Sequence, residues 1–225
     1  MPHDVDHHAI LDRLAAARGG VRNVFDAIDP ARTAHVVIDM QNGFVEEGAP
    51  VEVPMAKTIS GTINRISAAI RKAGGRNIFV QYTTPEDVDE CWSIMMTRLG
   101  GLADAHREGF REGAHYWNIW PELEVTPQDR ALPKGRFSAF THGTCPLHQE
   151  LIAAGIDTVI ISGTVTNICC ESTARDAMQL NYRVILATDA NAALSDEEHA
   201  AALNSLAFGF ADLCSAEEIE GLFSQ

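Results

Sequence analysis

The sequence predicts a three-layer α/β fold in which a doubly wound, mostly parallel sheet of five to six strands carries helices on both faces. Short apolar runs rich in β-branched residues alternate along the chain with segments of helical periodicity, as in a parallel sheet covered by helices. The runs are apolar throughout rather than at every second position, which indicates strands buried on both faces. With 225 residues, of which 46% are hydrophobic, the chain can bury one substantial core, and we expect a single domain over residues 1–225.

Four apolar runs predict the main strands of the sheet. They lie at residues 35–38, 77–80, 158–161 and 183–186, and residues 210–213 are expected to add a short edge strand. Because parallel strands are joined by right-handed crossovers, the segments between them should cover both faces of the sheet.

Helices are predicted between these runs. An isoleucine stripe at spacings of four, three and four residues indicates one helix, which Gly74 can end in a left-handed conformation. Further helices are predicted over residues 144–154 and 172–180, and a helical extension over residues 1–30. The stripe consists of Ile59, Ile63, Ile66 and Ile70.

Residues 85–133 are the least regular part of the sequence. Large apolar side chains lie there among glycines and charged residues, and composition alone leaves two interpretations open. The segment is either a satellite hydrophobic cluster under a long loop, or a lid-like insertion or subunit contact that shapes a substrate pocket. Its large side chains include Trp92, Met95, Met96, Tyr116, Trp117 and Trp120.

The charge of the chain restricts its partners. The 17 Lys and Arg residues against 31 Asp and Glu residues give a net charge of −14, which repels phosphate backbones and anionic membrane surfaces. The sequence does not open with a basic segment followed by an apolar run, and no apolar stretch is long enough to span a bilayer. We therefore expect a soluble, cytoplasmic protein that acts on a small molecule and binds neither nucleic acid nor membranes.

The cysteines and histidines give no sign of a metal site. Five cysteines scattered over a chain of this size indicate reduced thiols rather than a disulfide scaffold. None of them forms a Cys-x-x-Cys pair, which disfavours both a zinc site and a thiol oxidoreductase. His7 and His8 lie in a polar N-terminal segment and are expected to be solvated. We expect no metal ion and no other cofactor.

Two polar residues are candidates for a site at the carboxyl edge of the sheet, where ligands bind in open α/β folds. Asp39 ends the first apolar run, where an ionised carboxylate is costly unless a cation or a proton donor meets it. Lys134 lies between Pro133 and Gly135 in an otherwise apolar stretch. Taken alone, each also fits a structural role, as an acid that caps a turn and as an ordinary surface lysine.

Cys169 is the strongest chemical signal in the sequence. A buried strand is predicted to end at Gly163, and small and polar residues then lead to Cys169 in the first turn of the next helix. The helix dipole and unpaired amide donors at that position lower the pKa of a thiol and direct N–H groups at an oxyanion beside the sulfur. A buried structural cysteine is the alternative. The adjacent Cys170 should face the core, because successive helical residues point about 100° apart.

Three motifs together resemble those of the isochorismatase-like cysteine hydrolases. They are Asp39-x-Gln41 after the first strand, Lys134 ahead of the sequence FSAF, and the sequence GTVTNIC, which ends at Cys169 and is followed, after Cys170, by ESTARDA. The resemblance extends over residues 33–222 with the motifs in the family's order. The superfamily includes N-carbamoylsarcosine amidohydrolases and ureidoacrylate amidohydrolases.

The resemblance implies a cysteine-dependent hydrolase. Cys169 would be the nucleophile, Asp39 would take its proton, and Lys134 would support the thiolate and the developing charge. Val165 and Cys169 would donate the amides of an oxyanion hole, with a cis peptide bond between Thr164 and Val165. The implied reaction cleaves an amide, ureido or carbamoyl C–N bond through a thioester acyl-enzyme and releases ammonia or an amine. A homo-oligomer, dimer or tetramer, is also expected.

Departures from the family narrow the expected reaction. Nicotinamidases carry an Asp-x-His motif and further histidines after the first strand to hold a metal, whereas residues 44–50 read FVEEGAP here. This difference argues against nicotinamide as the substrate and against a catalytic metal. Isochorismatases that hydrolyse a vinyl ether lack the nucleophilic cysteine, so Cys169 favours acyl transfer.

Two alternatives to a cysteine hydrolase come from other classes. A non-catalytic member would keep the fold as a binding or assembly module, against which the intact Asp39, Lys134 and Cys169 argue. A nucleotide- or flavin-binding protein is disfavoured because no strand is followed by a Gly-x-Gly-x-x-Gly loop.

The substrate contacts are predicted from polar and aromatic residues near the strand ends and in the aromatic segment. The predicted substrate-binding residues are Gln41, Asn42, Gln81, Tyr82, Trp92, Phe137, Thr166 and Asn167.

Overall fold

Six parallel strands form one sheet in the order β3-β2-β1-β4-β5-β6. The computed structural model describes residues 3–223, so residues 1–2 of the predicted extension and residues 224–225 of the predicted domain lie outside the described part of the chain. The predicted doubly wound α/β architecture is confirmed. The strands are β1 (Thr33–Ile38), β2 (Arg76–Tyr82), β3 (Arg130–Lys134), β4 (Thr158–Thr164), β5 (Arg183–Ala192) and β6 (Asp212–Cys214).

Helices cover both faces of this sheet. They are α1 (His7–Ala17), α2 (Asn42–Val45), α3 (Ser60–Ala73), α4 (Val88–Cys91), α5 (Ser93–Leu99), α6 (Ala103–Gly109), α7 (Leu147–Ala153), α8 (Glu171–Gln179), α9 (Asp196–Gly209) and α10 (Ala216–Leu222). Within residues 3–223, none of the helices combines the length and the apolar character needed to cross a bilayer.

The core lies in two layers, one on each side of the sheet. Side chains of α1, α7, α8 and α9 pack on one face, where Val36 and Ile38 of β1 point. Side chains of α2, α3 and α10 pack on the other face, together with Val37 of β1. Neighbouring residues of one strand therefore serve opposite layers, which explains why the strand sequences are apolar at every position.

The edge strand β3 was not among the predicted strands. Its sequence, RALPK, contains a proline and two charged residues, and only Leu132 and Lys134 are buried. A proline is tolerated at a sheet edge because it removes a single donor from one side of the strand. The irregular segment predicted over residues 85–133 therefore ends before β3, and we use "the insertion" below for residues 85–129.

The N-terminal and C-terminal segments also differ from the sequence prediction. The predicted extension over residues 1–30 contains one α-helix, α1, within its described part. The two last helices, α9 and α10, were not predicted, although Ser195 and Ser215 cap them with their side chains. Ser215 and Glu218 form a capping box, which is a sequence signal for a helix start.

The insertion lies against the carboxyl ends of β1 and β2. Phe110 is fully buried and packs directly on Gly43, where a Cβ atom would lie 2.2 Å from the Phe110 Cζ atom. The Thr84 N–H donates to the Phe110 carbonyl at 2.9 Å, and the Trp120 N–H donates to the Met40 carbonyl at 2.9 Å. These contacts fix the insertion over the edge of the sheet where ligands bind in this class of fold.

Candidate active site

The three predicted catalytic residues meet at the carboxyl edge of the sheet. Asp39 directly follows β1, Lys134 is the last residue of β3, and Cys169 lies in a π-helical turn (Thr166–Cys170) between β4 and α8. In the sheet, β1 lies between β2 and β4, and the crossover from β1 leads to β2 on one side, whereas β4 lies on the other side. Asp39 and Cys169 follow β1 and β4 and therefore lie at the topological switch point of the sheet. Asp39 and Lys134 are completely buried, and Cys169 is 5% exposed.

Lys134 connects the other two residues. Its Nζ atom lies 2.7 Å from Asp39 Oδ2 and 3.6 Å from Cys169 Sγ. The same Nζ donates to the Arg136 carbonyl at 3.0 Å. Nζ thus donates to one carbonyl and to the sulfur, and it forms an ion pair with the Asp39 carboxylate. The buried lysine is thus held in one position between a carboxylate and a sulfur.

Asp39 is positioned by its backbone and by β2. Its φ angle of 50° is in the left-handed region, which non-glycine residues adopt mainly when they are asparagine or aspartate. The second carboxylate oxygen, Oδ1, accepts the Tyr82 N–H at 2.9 Å. Unusual backbone conformations of this kind cluster at functional sites.

The approach of β4 to β1 positions Cys169. Gly163, near the end of β4, has a φ angle of 115°, and a Cβ atom there would lie 2.0 Å from the Ile38 carbonyl oxygen. Only glycine therefore fits where the two strands reach the site. The Thr164–Val165 peptide bond that follows is cis. Val165 and Cys169, the predicted oxyanion-hole residues, both line the adjoining cavity.

The three groups shift one another's pKa values. Burial raises the pKa of Asp39, and the charge of Lys134 opposes that effect. Burial also raises the pKa of the Cys169 thiol, again against the charge of Lys134. For Lys134, burial alone would lower the pKa, but the charges of Asp39 and Cys169 outweigh it and raise the value. For both acids, the ammonium of Lys134 offsets part of the cost of a buried negative charge.

This result corrects one expectation from the sequence. The position of Cys169 at the start of a helix predicted a lowered thiol pKa, whereas burial of the sulfur, and to a lesser extent the nearby Asp39 carboxylate, raise the pKa of this thiol. A buried thiol needs a base to form a thiolate, and the Asp39 carboxylate lies beside the same lysine ammonium as Cys169 Sγ. Cys170 is fully buried in the core, as expected.

A cavity of about 400 Å³ opens beside Cys169. This volume is in the range of small-molecule sites, about 300–1,000 Å³. Two predicted substrate-binding residues, Tyr82 and Phe137, line it. The remaining lining residues are mostly apolar and come from the segment after β1, the insertion, the turn after β4 and the loop after β5. They include Phe44, Val51, Val53, Met95, Leu99, Leu102, Ile168 and Leu194, with Glu52, Arg98 and His106 as polar members.

The amide residues predicted to bind substrate hold the insertion instead. Gln41 and Gln81 both donate from Nε2 to the Trp117 carbonyl, at 2.8 and 2.9 Å. Asn42 donates to the His115 carbonyl at 3.0 Å. None of these three side chains lines the cavity. The insertion buries the strand ends and places main-chain carbonyls there, and buried carbonyls need hydrogen-bond donors. The three amide side chains supply these donors.

The other predicted contacts lie around the cavity rather than in it. Trp92 packs edge-on against Phe137, with ring centroids 4.9 Å apart, and so supports a cavity wall. The hydroxyl of Thr166 is buried and lies 3.0 Å from His199 Nδ1. Asn167 is half-buried, and its Oδ1 atom has no hydrogen-bond partner among residues 3–223.

Several lining residues were not predicted from the sequence. Met95 was part of the aromatic segment, but Arg98, Leu99, Leu102 and His106 had no signal beyond their place in that segment. They reach the cavity because α5 and α6 fold back over Cys169. The insertion therefore helps to form the pocket, which was one of the interpretations left open.

One group of potential metal ligands occurs within residues 3–223. It consists of His7, His8 and Glu218, and none of the three lines the cavity beside Cys169. The expectation that both histidines are solvated is wrong for His7, whose side chain is 12% exposed and lies 3.1 Å from a Glu218 carboxylate oxygen. His8 remains about half exposed.

Comparisons with known proteins show what the chain is similar to. The sequence profile of the isochorismatase domain matches residues 33–218. Nicotinamidase 3 of Arabidopsis thaliana is 32% identical over 192 residues, which cover 83% of this chain and 86% of that protein. The ureidoacrylate amidohydrolase RutB of Agrobacterium fabrum is 30% identical over 177 residues, covering 72% and 77%. A crystal structure of a cysteine hydrolase from Pseudomonas syringae pv. phaseolicola superimposes with a TM-score of 0.81 and 26% identity, covering 89% of this chain and 96% of that one.

Proposed function

Since the chain belongs to the isochorismatase family, we propose that it hydrolyses an amide, ureido or carbamoyl C–N bond of a small molecule with Cys169 as the nucleophile. The observation that carries this proposal is the position of Lys134 Nζ, 2.7 Å from the Asp39 carboxylate and 3.6 Å from Cys169 Sγ. Two similar proteins, a nicotinamidase and a ureidoacrylate amidohydrolase, are named for cleavage of the same type of bond, which supports the proposal.

In the first half of the proposed reaction, Asp39 takes the thiol proton as Cys169 Sγ attacks the carbonyl carbon. A C–S bond forms, and the carbonyl π electrons move to the oxygen, which the Val165 and Cys169 N–H groups are proposed to stabilise. When the oxyanion collapses, the C–N bond breaks. The nitrogen then takes the proton from Asp39 and leaves as ammonia or an amine, so that a thioester remains on Cys169.

In the second half, water attacks the thioester. Asp39 again serves as the base and takes a proton from the water, and the thiolate of Cys169 leaves and recovers that proton. The acid product departs and the site returns to its starting charges. Lys134 keeps its positive charge throughout, which stabilises the negative charge as it moves between Asp39 and Cys169.

A screen for released ammonia tests this proposal. Purified protein would be incubated with ureido acids, carbamoyl amino acids and simple primary amides, and ammonia would be quantified. We expect release from members of one of these classes, abolished in Cys169→Ala and kept in Cys91→Ala, which removes an exposed thiol. Equal release by the two variants, or acid formation without ammonia or amine, would show that the proposal is wrong.

A further inference from the structure

His106 is a buried histidine of the insertion that the proposed reaction does not use. It lies in α6, is 3% exposed and lines the cavity beside Cys169. Its ring packs against Tyr82 and Phe110, with a centroid separation of 4.9 Å in each case. The two aromatic rings therefore fix the imidazole plane at the cavity wall.

The ring nitrogens of His106 lack partners. Within residues 3–223, Nδ1 is buried without a hydrogen bond, and no protein group bonds to Nε2. Buried polar atoms are normally paired, and an unpaired one in a folded protein calls for an explanation. An imidazole at the wall of a cavity can find that partner in a bound ligand.

The other buried histidines of the described chain show the contrast. His35 contacts Asn77 through Nδ1 and Ser162 through Nε2. His199 contacts Thr166 through Nδ1 and the Thr188 carbonyl through Nε2. His3, likewise, has Asp196 and the Ala193 N–H as partners for its two nitrogens. His106 differs from all three in facing the cavity and in lacking both partners.

The charge of His106 limits what it can bind. Burial lowers its pKa to about 4, and the charge of Lys134 acts in the same direction. The ring is therefore neutral at neutral pH, with one N–H donor and one nitrogen acceptor. An amide or ureido group also carries both a donor and an acceptor without net charge. A neutral imidazole suits such a group better than a carboxylate, which would need a cation.

We infer that His106 is a substrate-binding residue whose imidazole hydrogen-bonds an uncharged amide or ureido group of the substrate inside the cavity. The inference rests on the proposed function for the identity of the substrate class. Binding at His106 does not itself require turnover, so the two can be tested separately.

Kinetics of two His106 variants test the inference. His106→Phe keeps an aromatic ring between Tyr82 and Phe110 but removes both nitrogens, and His106→Gln returns an amide near the position of Nε2. With the best substrate of the ammonia screen, we expect His106→Phe to lower kcat/KM by about 10- to 100-fold, mainly through KM, because a substrate group loses its partner. His106→Gln should recover part of the loss. The matched control is His142→Phe, at an exposed histidine, and melting temperatures would verify folding.

Ligand binding without turnover provides a second readout. In Cys169→Ala protein with ¹⁵N-labelled histidine, phenylurea and phenylacetamide would be added while the ring nitrogen shifts of His106 are followed. We expect a saturable shift at His106 and none at His142. A shift in Cys169→Ala, together with no ammonia release by the wild-type protein from any compound of the screen, would contradict the proposed hydrolysis but support the binding role. A folded His106→Phe protein with wild-type KM, or no shift at His106 with either probe, would overturn the inference.

Discussion

At the scale of single residues, the proposed reaction makes activity depend on the charge of Asp39. Burial raises the pKa of its carboxyl group, and only the ionised form can take a proton from the Cys169 thiol. The activity should therefore be present above the pKa of Asp39 and be lost as the pH falls through it. Since this pKa is raised, the acid limb should lie above the usual range of a carboxyl group.

The pH profile of kcat/KM measures the acid limb, which is the fall in activity toward low pH. We expect replacement of Lys134 by methionine to move the limb to still higher pH, because the lysine charge stabilises the Asp39 carboxylate, and to lower the rate as well. Lys57→Met, at an exposed lysine, is the control and should leave the limb in place. An acid limb below the ordinary carboxyl range in the wild-type protein, or one that Lys134→Met leaves unmoved, would contradict the role of Asp39 as the base.

At the scale of elements, the insertion depends on one close contact. A side chain at Gly43 would meet the Phe110 ring at 2.2 Å, so Gly43→Ala must displace Phe110 and with it the wall formed by α6. We expect a loss of stability of about 1–3 kcal/mol, as for other overpacked sites, together with a raised KM. Gly61→Ala is the matched control, because its Cβ would meet nothing within 4 Å.

Thermal melting compares the stability of the two glycine variants, and substrate kinetics compare their KM values. Gly61→Ala should be neutral or slightly stabilising, since alanine is favoured over glycine in a helix by about 1 kcal/mol. If Gly43→Ala has wild-type stability and KM, the insertion is not held over the cavity by the Phe110 contact.

A second anchor lies where the insertion ends. The Asp129 carboxylate is 1% exposed and accepts hydrogen bonds from Arg71, Asn77 and Thr126. Burial would raise the pKa of Asp129, but the bonds from Arg71 and Thr126 outweigh burial and lower it. A carboxyl group whose pKa is depressed by folding stabilises the protein above its unfolded pKa, and this stabilisation is lost as the pH falls through the folded value.

Asp129→Asn should therefore destabilise the protein at neutral pH by about 2 kcal/mol. The difference from wild type should shrink as the pH falls below the folded pKa of Asp129. Denaturant unfolding across an acid pH series measures this difference, with Asp104→Asn, whose side chain is 91% exposed, as the control. A difference that is the same at every pH would contradict the contribution of the charge.

At the scale of the whole molecule, the apolar runs predicted the parallel sheet because both of its faces are buried. Strand β3 could not be predicted in this way, since an edge strand with one proline and exposed charges lacks the apolar pattern. Asp39 and Cys169 were expected at strand ends, and parallel strands bring their carboxyl ends together. Lys134 was identified from the family motif. It lies beside Asp39 and Cys169 because it is the last residue of β3, which the sequence pattern did not predict.

The substrate contacts were harder to predict for a physical reason. Whether Gln41 or Gln81 faces a ligand or a carbonyl depends on where the insertion lies, and that follows from long-range packing such as Phe110 on Gly43. His106 had no distinguishing neighbours in the sequence. It differs from the other buried histidines of the described chain in its place at the cavity and in the hydrogen-bond partners of its ring, which the sequence does not show.

The expected homo-oligomer stays a prediction for the whole molecule. Leu102 and Leu194 line the cavity beside Cys169 and are 49% and 57% exposed. A second copy that covers them would reduce the apolar surface around the cavity. We expect sedimentation equilibrium to give a dimer or a tetramer, and a monomer at micromolar concentration would contradict this.

The most direct test of the account is the turnover of Cys169→Ala measured beside Cys170→Ala. Both variants remove one buried thiol from the same turn, but only Cys169 contacts Lys134 and lines the cavity. With a substrate that releases ammonia, we expect kcat of Cys169→Ala to fall by about four orders of magnitude or more, while Cys170→Ala stays within about tenfold of wild type, as expected for a core change that affects stability. A folded Cys169→Ala protein that keeps near wild-type turnover would contradict covalent catalysis by this residue.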